Sequence, residues 1–316
     1  MANFKKLNYK RETKKSKSLT RFLENDNIAG YIFISPWIIG FIAFTAIPVL
    51  ASLWFSFTDY DLLTSPNFIG LDNYKKMFKD DEVYRKSLFV TFYFVFASVP
   101  LRLIFALFVA MLLTVKTKIS GLYRTVFYIP SIIGGSIAIA VIWKRIFHDD
   151  GVLNDLLAMI GIKTNISYLT NEKTAIWTLI ILAVWQFGSS MLIFLAGLKQ
   201  IPDSYYEAAK IDGANKFQNF FKITIPMLTP IIFFNLVMQI IQGFMSFTQS
   251  FVITSGKPMN STLFYSVYMY NRSFKFFEMG YGSAMAWVML LIIAAFTIIV
   301  FKSSGSWVYY ETKEDK

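Results

Sequence analysis

Six long runs of apolar residues constrain this chain more than anything else in it. They cover about residues 30–57, 88–114, 122–143, 175–198, 227–253 and 284–301, each near the roughly 20 residues that carry a helix across a bilayer core. A backbone in hydrocarbon must satisfy its own N–H and C=O groups, and runs of this length do so as α-helices rather than barrel strands. Hydrophobic residues make up 55% and charged residues 16% of the 316, a balance foreign to a soluble domain. The expected fold class is therefore all-α, a polytopic membrane protein with six transmembrane helices. Its first run begins near Ile28 after a long basic leader and is too long for the apolar core of a secretory signal, so it is expected to stay as the first span.

The net charge of +11 would raise the question of nucleic acid in a soluble protein, but here its distribution follows topology. Cytoplasmic loops of membrane proteins collect Lys and Arg. With the N-terminus inside, eighteen basic residues fall on the inner side and twelve on the outer, and eight of the eighteen stand in the leader between Lys5 and Arg21. Both termini are expected in the cytoplasm, with the leader near anionic membrane lipid and no nucleic-acid partner. The domain organisation read this way is a basic tail over 1–27, a six-span domain over 28–302 and a cytoplasmic tail over 303–316. Cysteine is absent, and the single histidine, His148, stands beside Asp149 and Asp150 in a loop. No metal site is expected.

Of the outer segments, residues 58–87 read as a loop with a short amphipathic helix. Residues 144–174 contain GVLNDLLAMIGI, whose Val152, Leu153, Leu156, Leu157 and Ile160 follow helical spacing. The inner segment between the fourth and fifth runs is the most distinctive. Pro202 stops the preceding helix; Ser204 with Glu207 three residues later is a capping-box pattern that predicts a helix from Tyr205; Gly213 suits the left-handed position after its last turn. A second short helix with Phe217, Phe220 and Phe221 is predicted before Ile225 and Pro226. Exposed aromatics invite a cover, and two readings are open: a docked protein partner, or packing against the chain's own helix ends.

The residues Glu207, Ala208, Ala209, then Asp212, Gly213, Ala214, then Ile225 and Pro226, with Tyr206, Phe217, Ile223 and Pro230 around them, resemble the EAA signature of binding-protein-dependent ABC importer permeases, in the form of the sugar-importing group. SPWIIGFIAFTAIPVLASLWFSF, YRTVFYIPSII and GYGSAMAWVMLLII resemble the same family in the first, third and sixth runs. The resemblance implies the type I permease fold and a hairpin over 203–226 seated in a cytoplasmic ATPase. It implies that Glu207, Ala208, Ala209, Asp212, Gly213 and Phe217 couple the two: Glu207 offers charge, Ala208 allows close approach and Gly213 makes the turn. The implied partners are a second, dissimilar permease forming a heterodimer, two ATPase copies, an extracytoplasmic solute-binding protein and a carbohydrate substrate, in a bacterial cell membrane. No GxxxxGK[ST] loop is present, so ATP and Mg belong to the ATPase, no cofactor is expected on this chain, and it is no enzyme. A permease for another solute class and an ion-coupled transporter are the alternatives.

A pathway through the membrane is also suggested. Asn235, Gln239, Gln242, Ser246 and Gln249 are spaced 4, 3, 4 and 3 apart, which predicts one polar stripe on the fifth helix. It serves either as interhelical glue or as the wall of a polar path. The third run offers Ser131 and Gly135 near Pro130, a predicted break, and the fourth offers Trp185 and Gln186. Hydroxyls and amides beside an aromatic face suit a neutral sugar. The family resemblance adds Ser131, Gly135, Ser246, Phe247 and Ser250 as positions matching its sugar path. Arg102, in the middle of the second run, must face protein or water: an intersubunit bond to carbonyls and a place in the path wall are equally open.

Overall fold

The computed structural model describes residues 26–115, 119–162 and 167–309; the basic leader through residue 25 and residues 310–316 lie outside the described residues. The first span runs from α1 (Asp26–Phe41) through a π-turn at Ile42–Ala46 into α2 (Ile47–Phe55). The π-turn ends two residues before Pro48, which has no N–H to give and whose ring would strike the carbonyl one turn back, and the wider turn relieves that clash. The same device recurs at Phe220–Thr224, ahead of Pro226.

The short helix expected in 58–87 is α3 (Asp72–Lys75) with a π-turn over Lys76–Asp80. The second span, α4 (Glu82–Leu112), starts six residues before the apolar run. Asp81 fixes that start by accepting the Tyr84 N–H at 2.9 Å, a side-chain cap that overrides the polar character of Glu82, Arg85 and Lys86. The third span is broken, as its Pro, Gly and Ser predict: α5 (Ser120–Ile133) and α6 (Ile137–Ile146) meet at 98°. The helical spacing in 144–174 is realised as α7 (Val152–Met159). The fourth span is α8 (Glu172–Trp185) and α9 (Gly188–Leu198), bent by 42° at Gln186 and Phe187.

Then come α10 (Asp203–Ile211), α11 (Lys216–Asn219) and α12 (Ile225–Phe244). The second helix of the hairpin is not separate: Lys216–Phe244 is one continuous helix, because the π-turn carries the chain through Pro226 without a stop. Helix α12 also ends at Phe244, nine residues short of the apolar run, and the chain turns at Met245 before a π-turn at Ser250–Thr254. Helix α13 (Tyr265–Tyr270) and the sixth span α14 (Met279–Trp307) complete the order. Among the described residues four helices are long and apolar enough to cross a membrane, six with the two bent pairs.

Helix α4 is the axis of the core. It packs on α8, α9, α12 and α13, burying Phe94 against Phe264 and setting Phe92 edge-on to Phe244. The first span joins the bundle through α2, which lies along α14 with Trp287 Nε1 donating to Ser52 Oγ at 3.2 Å. The Tyr309 N–H donates to Thr229 Oγ1 at 2.8 Å, so the chain's last described residues lie at the hairpin end of the bundle. At the opposite end the Gly280 N–H donates to Tyr60 O at 2.8 Å and Asp81 gathers several elements. Its Oδ2 accepts from Tyr268 Oη at 2.6 Å, Tyr281 Oη at 2.7 Å and Arg272 at 3.2 Å. Burial acts to raise this carboxyl, but the two phenols, the Tyr84 N–H and Arg272 outweigh it and hold it below the usual carboxylate range.

Candidate functional site

Two features stand out: the hairpin between the fourth and fifth spans, and a polar cavity among the helices. In the hairpin, α10 begins at Asp203 behind Pro202, and Ser204 caps nothing. The predicted capping box is thus absent there, since proline already fixes the entry in an extended conformation. A capping box forms instead at α11, where Asn215 Oδ1 accepts the Gln218 N–H at 2.9 Å and Gln218 Oε1 accepts the Asn215 N–H at 2.8 Å.

Between the two helices Gly213 has φ +77°. The Ala214 N–H reaches Ala209 O at 2.9 Å and the Gly213 N–H reaches Lys210 O at 3.1 Å, the paired bonds of a Schellman turn. Tyr206 and Thr224 share a hydroxyl bond of 2.9 Å that ties the two arms. The tip is open: Glu207, Ala208, Asp212 and Gly213 are exposed and Ala209 is half-buried, while Ile211 is 87% and Phe217 71% exposed. Phe221 packs at a tilt against Phe217 and edge-on against Phe220. Of the two sequence readings for these rings, the chain itself does not cover Phe217.

The cavity, 120 Å³, lies between α4, the α8–α9 bend and the end of α12. Helix α4 contributes Phe94, Ser98 and Arg102, spaced four apart on one face. Arg102 Nε donates to Ala183 O at 2.6 Å and its Nη1 to Gln239 Oε1. Arg102 lines the cavity, and the carbonyl it bonds belongs to this chain. It is available because α8 stops at Gln186, leaving its last carbonyls without helical partners. Gln239 also donates to Ser190 Oγ at 3.1 Å.

Gln186, Gln242, Ser246 and Gln249 complete the polar wall. Gln249 is 8% exposed, and its buried Oε1 has no hydrogen-bond partner. The single straight stripe expected on the fifth helix is corrected: Ser246 and Gln249 follow the end of α12 and reach the cavity through the turn at Met245.

Other predicted residues fall elsewhere. Asn235 is buried and donates to Ile231 O in its own helix at 3.2 Å. Ser250 donates to Thr262 O at 2.6 Å, and Phe247 stacks on Phe251 and meets Tyr270 edge-on. Trp185 packs on Trp143 with ring centres 5.7 Å apart, outside the cavity wall, and Gly135 is exposed at the third-span bend. Ser131 bridges the two bent spans, donating to Gln186 O and accepting the Ser189 N–H, both at 2.9 Å, while Gln186 Nε2 donates to Gly134 O at 3.1 Å. Ser98 is a wall residue that the sequence reading missed; its place four residues before Arg102 on a helix is the signal that could have found it. Among the described residues no three His, Cys, Asp or Glu side chains group as a metal site would require.

Residues 82–304 match the family described as the binding-protein-dependent transport system inner membrane component. YesP of Bacillus subtilis (strain 168), described as a probable ABC transporter permease protein, is 59% identical over 94% of this chain and 96% of its own length. AmyD of Thermoanaerobacterium thermosulfurigenes, described as a probable starch degradation products transport system permease protein, is 34% identical over 88% of this chain and 94% of its own. In a crystal structure of a bacterial alginate ABC transporter in complex with an alginate pentasaccharide-bound periplasmic protein, one chain superposes with a TM-score of 0.76 at 22% identity, covering 90% of this chain and 96% of that one. This likeness establishes the fold as that of an ABC importer permease of type I. By its matched residues and its relatives, the chain belongs to the inner membrane components of binding-protein-dependent transport systems and is a transporter permease, not an enzyme.

Proposed function

We propose that this chain is one permease half of an ATP-driven oligosaccharide importer in a bacterial cell membrane. The observation that carries the reading is the exposed, Gly213-turned hairpin carrying the EAA signature at the end of the bundle where the chain's last described residues also lie. The name of AmyD and the saccharide in the alginate transporter support a carbohydrate cargo. The periplasmic protein of that complex supports a solute-binding partner.

In this reading both termini and the hairpin are cytoplasmic. Two ATPase subunits take the hairpins of this chain and of a second, dissimilar permease. Glu207 and Asp212 present charge, Ala208 and Ala209 keep the approach close, Phe217 fills an apolar seat, and Gly213 holds the angle. An apolar groove of 610 Å³ beside Phe244, Met289 and Ile293 suits lipid or the second permease. ATP and Mg act on the ATPases, whose closure pushes the hairpins and tilts the bent spans between inward- and outward-facing states. The polar cavity forms part of the path.

The test is uptake into proteoliposomes holding this chain with its partner permease, ATPase and binding protein. The expected result is oligosaccharide uptake that requires ATP inside and stops with vanadate. Uptake driven by an ion gradient without ATP would overturn the reading.

A further inference from the structure

The spans of this chain carry a cation with no anion to match it. The sequence has no Asp or Glu between Glu82 and Asp149, between Glu172 and Asp203, or between Asp212 and Glu278. Arg102 joins no ion pair among the described residues. The end of α8 supplies partial compensation through Ala183 O, since a helix C-terminus carries about half a negative charge. A guanidinium at mid-span is costly, and an apolar side chain of similar size would avoid that cost. Structural glue alone does not require a full charge here.

Chemistry in the same cavity says what the charge is for. A guanidinium has five N–H donors in a planar fork that matches a carboxylate, and the bonds to Ala183 and Gln239 leave donors over. On the same polar wall, Gln249 holds an unpaired buried acceptor, the complement of a sugar hydroxyl. The volume of 120 Å³ is room for about four waters at about 30 Å³ each, so it takes a carboxylate and one edge of a pyranose ring rather than a whole disaccharide. Phe94, the aromatic ring on the wall, is buried against Phe264, and Trp185 packs on Trp143 outside the wall, so the cavity offers no open ring face of the kind a neutral sugar favours.

We propose that Arg102, with Gln239 and Gln249, forms a carboxylate subsite in the path, so that the cargo is an acidic, uronate-bearing oligosaccharide. This rests on the oligosaccharide-import reading above. During passage the uronate carboxylate accepts from the free N–H groups of Arg102 and a ring hydroxyl donates to Gln249 Oε1.

The test compares uptake of digalacturonate with that of its neutral methyl ester, in proteoliposomes holding the complete importer and saturating binding protein. Because wild type and Arg102→Gln share one binding protein, the change in the acid-to-ester ratio isolates this chain. The ratio is expected to fall about tenfold or more in Arg102→Gln, as loss of a charge-assisted bond implies, and to be largely kept in Arg102→Lys. A ratio unchanged by Arg102→Gln overturns the subsite while leaving saccharide import standing. ATP-driven uptake of neither compound overturns the uronate cargo, and uptake driven by an ion gradient without ATP overturns the import reading with it. Should Arg102→Gln not assemble, the wild-type complex without binding protein decides: digalacturonate, and not the ester, must raise its melting temperature, and equal or absent shifts overturn the proposal.

Discussion

Replacing Asp81 with Asn removes a buried carboxylate that holds three separated parts of the chain together. The side chain is 4% exposed; its Oδ2 takes Tyr268, Tyr281 and Arg272, and its Oδ1 takes the Tyr84 N–H. Asn has the same shape but one acceptor oxygen, so either orientation turns its NH₂ toward a donor. Hydrogen bonds to a charged group contribute about 1.5–3 kcal/mol each, and removing one partner of a buried pair costs about 3–5 kcal/mol. Arg272 retains Glu278 at 3.1 Å, which places the expected loss near the lower figure, about 3 kcal/mol or about a hundredfold in the folding equilibrium. The assay is unfolding of the detergent-purified protein, followed by circular dichroism against pH. A carboxyl held below its ordinary value of about 3.9 adds stability that is complete above that value and disappears as pH falls through the lower folded-state value. The wild type should therefore lose its advantage over Asp81→Asn only in strong acid, below about pH 4. A variant within about 0.5 kcal/mol of wild type, with the same acid profile, would refute the reasoning.

Other outcomes follow from the same geometry. Gly213→Val should abolish uptake while the protein still inserts and folds, and Gly213→Asn should keep part of it, because a left-handed φ costs an ordinary L-residue about 1–2 kcal/mol and Asn less; equal activity of all three would contradict the turn's role. Gly188→Ala should lower the melting temperature clearly more than Gly197→Ala. A Cβ at Gly188 would lie 2.4 Å from Phe127 O, which is backbone, whereas at Gly197 it meets the movable Cδ1 of Ile231. Ser131→Ala removes two of the bonds between the bent third and fourth spans and should cost about 1–3 kcal/mol of stability, read by the same unfolding assay.

The sequence carried the architecture because lipid leaves so few solutions: run length alone located the spans, and Pro130, Gly134 and Ser136 marked the sharpest bend. Chemistry local to the backbone was legible too, as with Gly213. What escaped was set by contacts distant in sequence. The end of α12 at Phe244 has no local stop signal, so the stripe at helical spacing runs on paper past it to Ser246 and Gln249; Ser250, added by the family resemblance, instead bonds Thr262. Arg102 could be seen as costly, but its partners, Ala183 and Gln239, come from other helices. Asp81 stands between Asp80 and Glu82, and nothing nearby in the sequence announces Tyr268, Arg272 or Tyr281.

The central claim is that the hairpin transmits work from a separate ATPase. The chain contains no cysteine, so Ala208→Cys gives a single reporter in the complete importer, paired with single cysteines lining the cleft of the ATPase. The account predicts a disulfide whose yield changes between the nucleotide-free and ATP-bound states and whose formation stops uptake until it is reduced. No cross-link in any nucleotide state, with ATP-driven uptake intact, would contradict it.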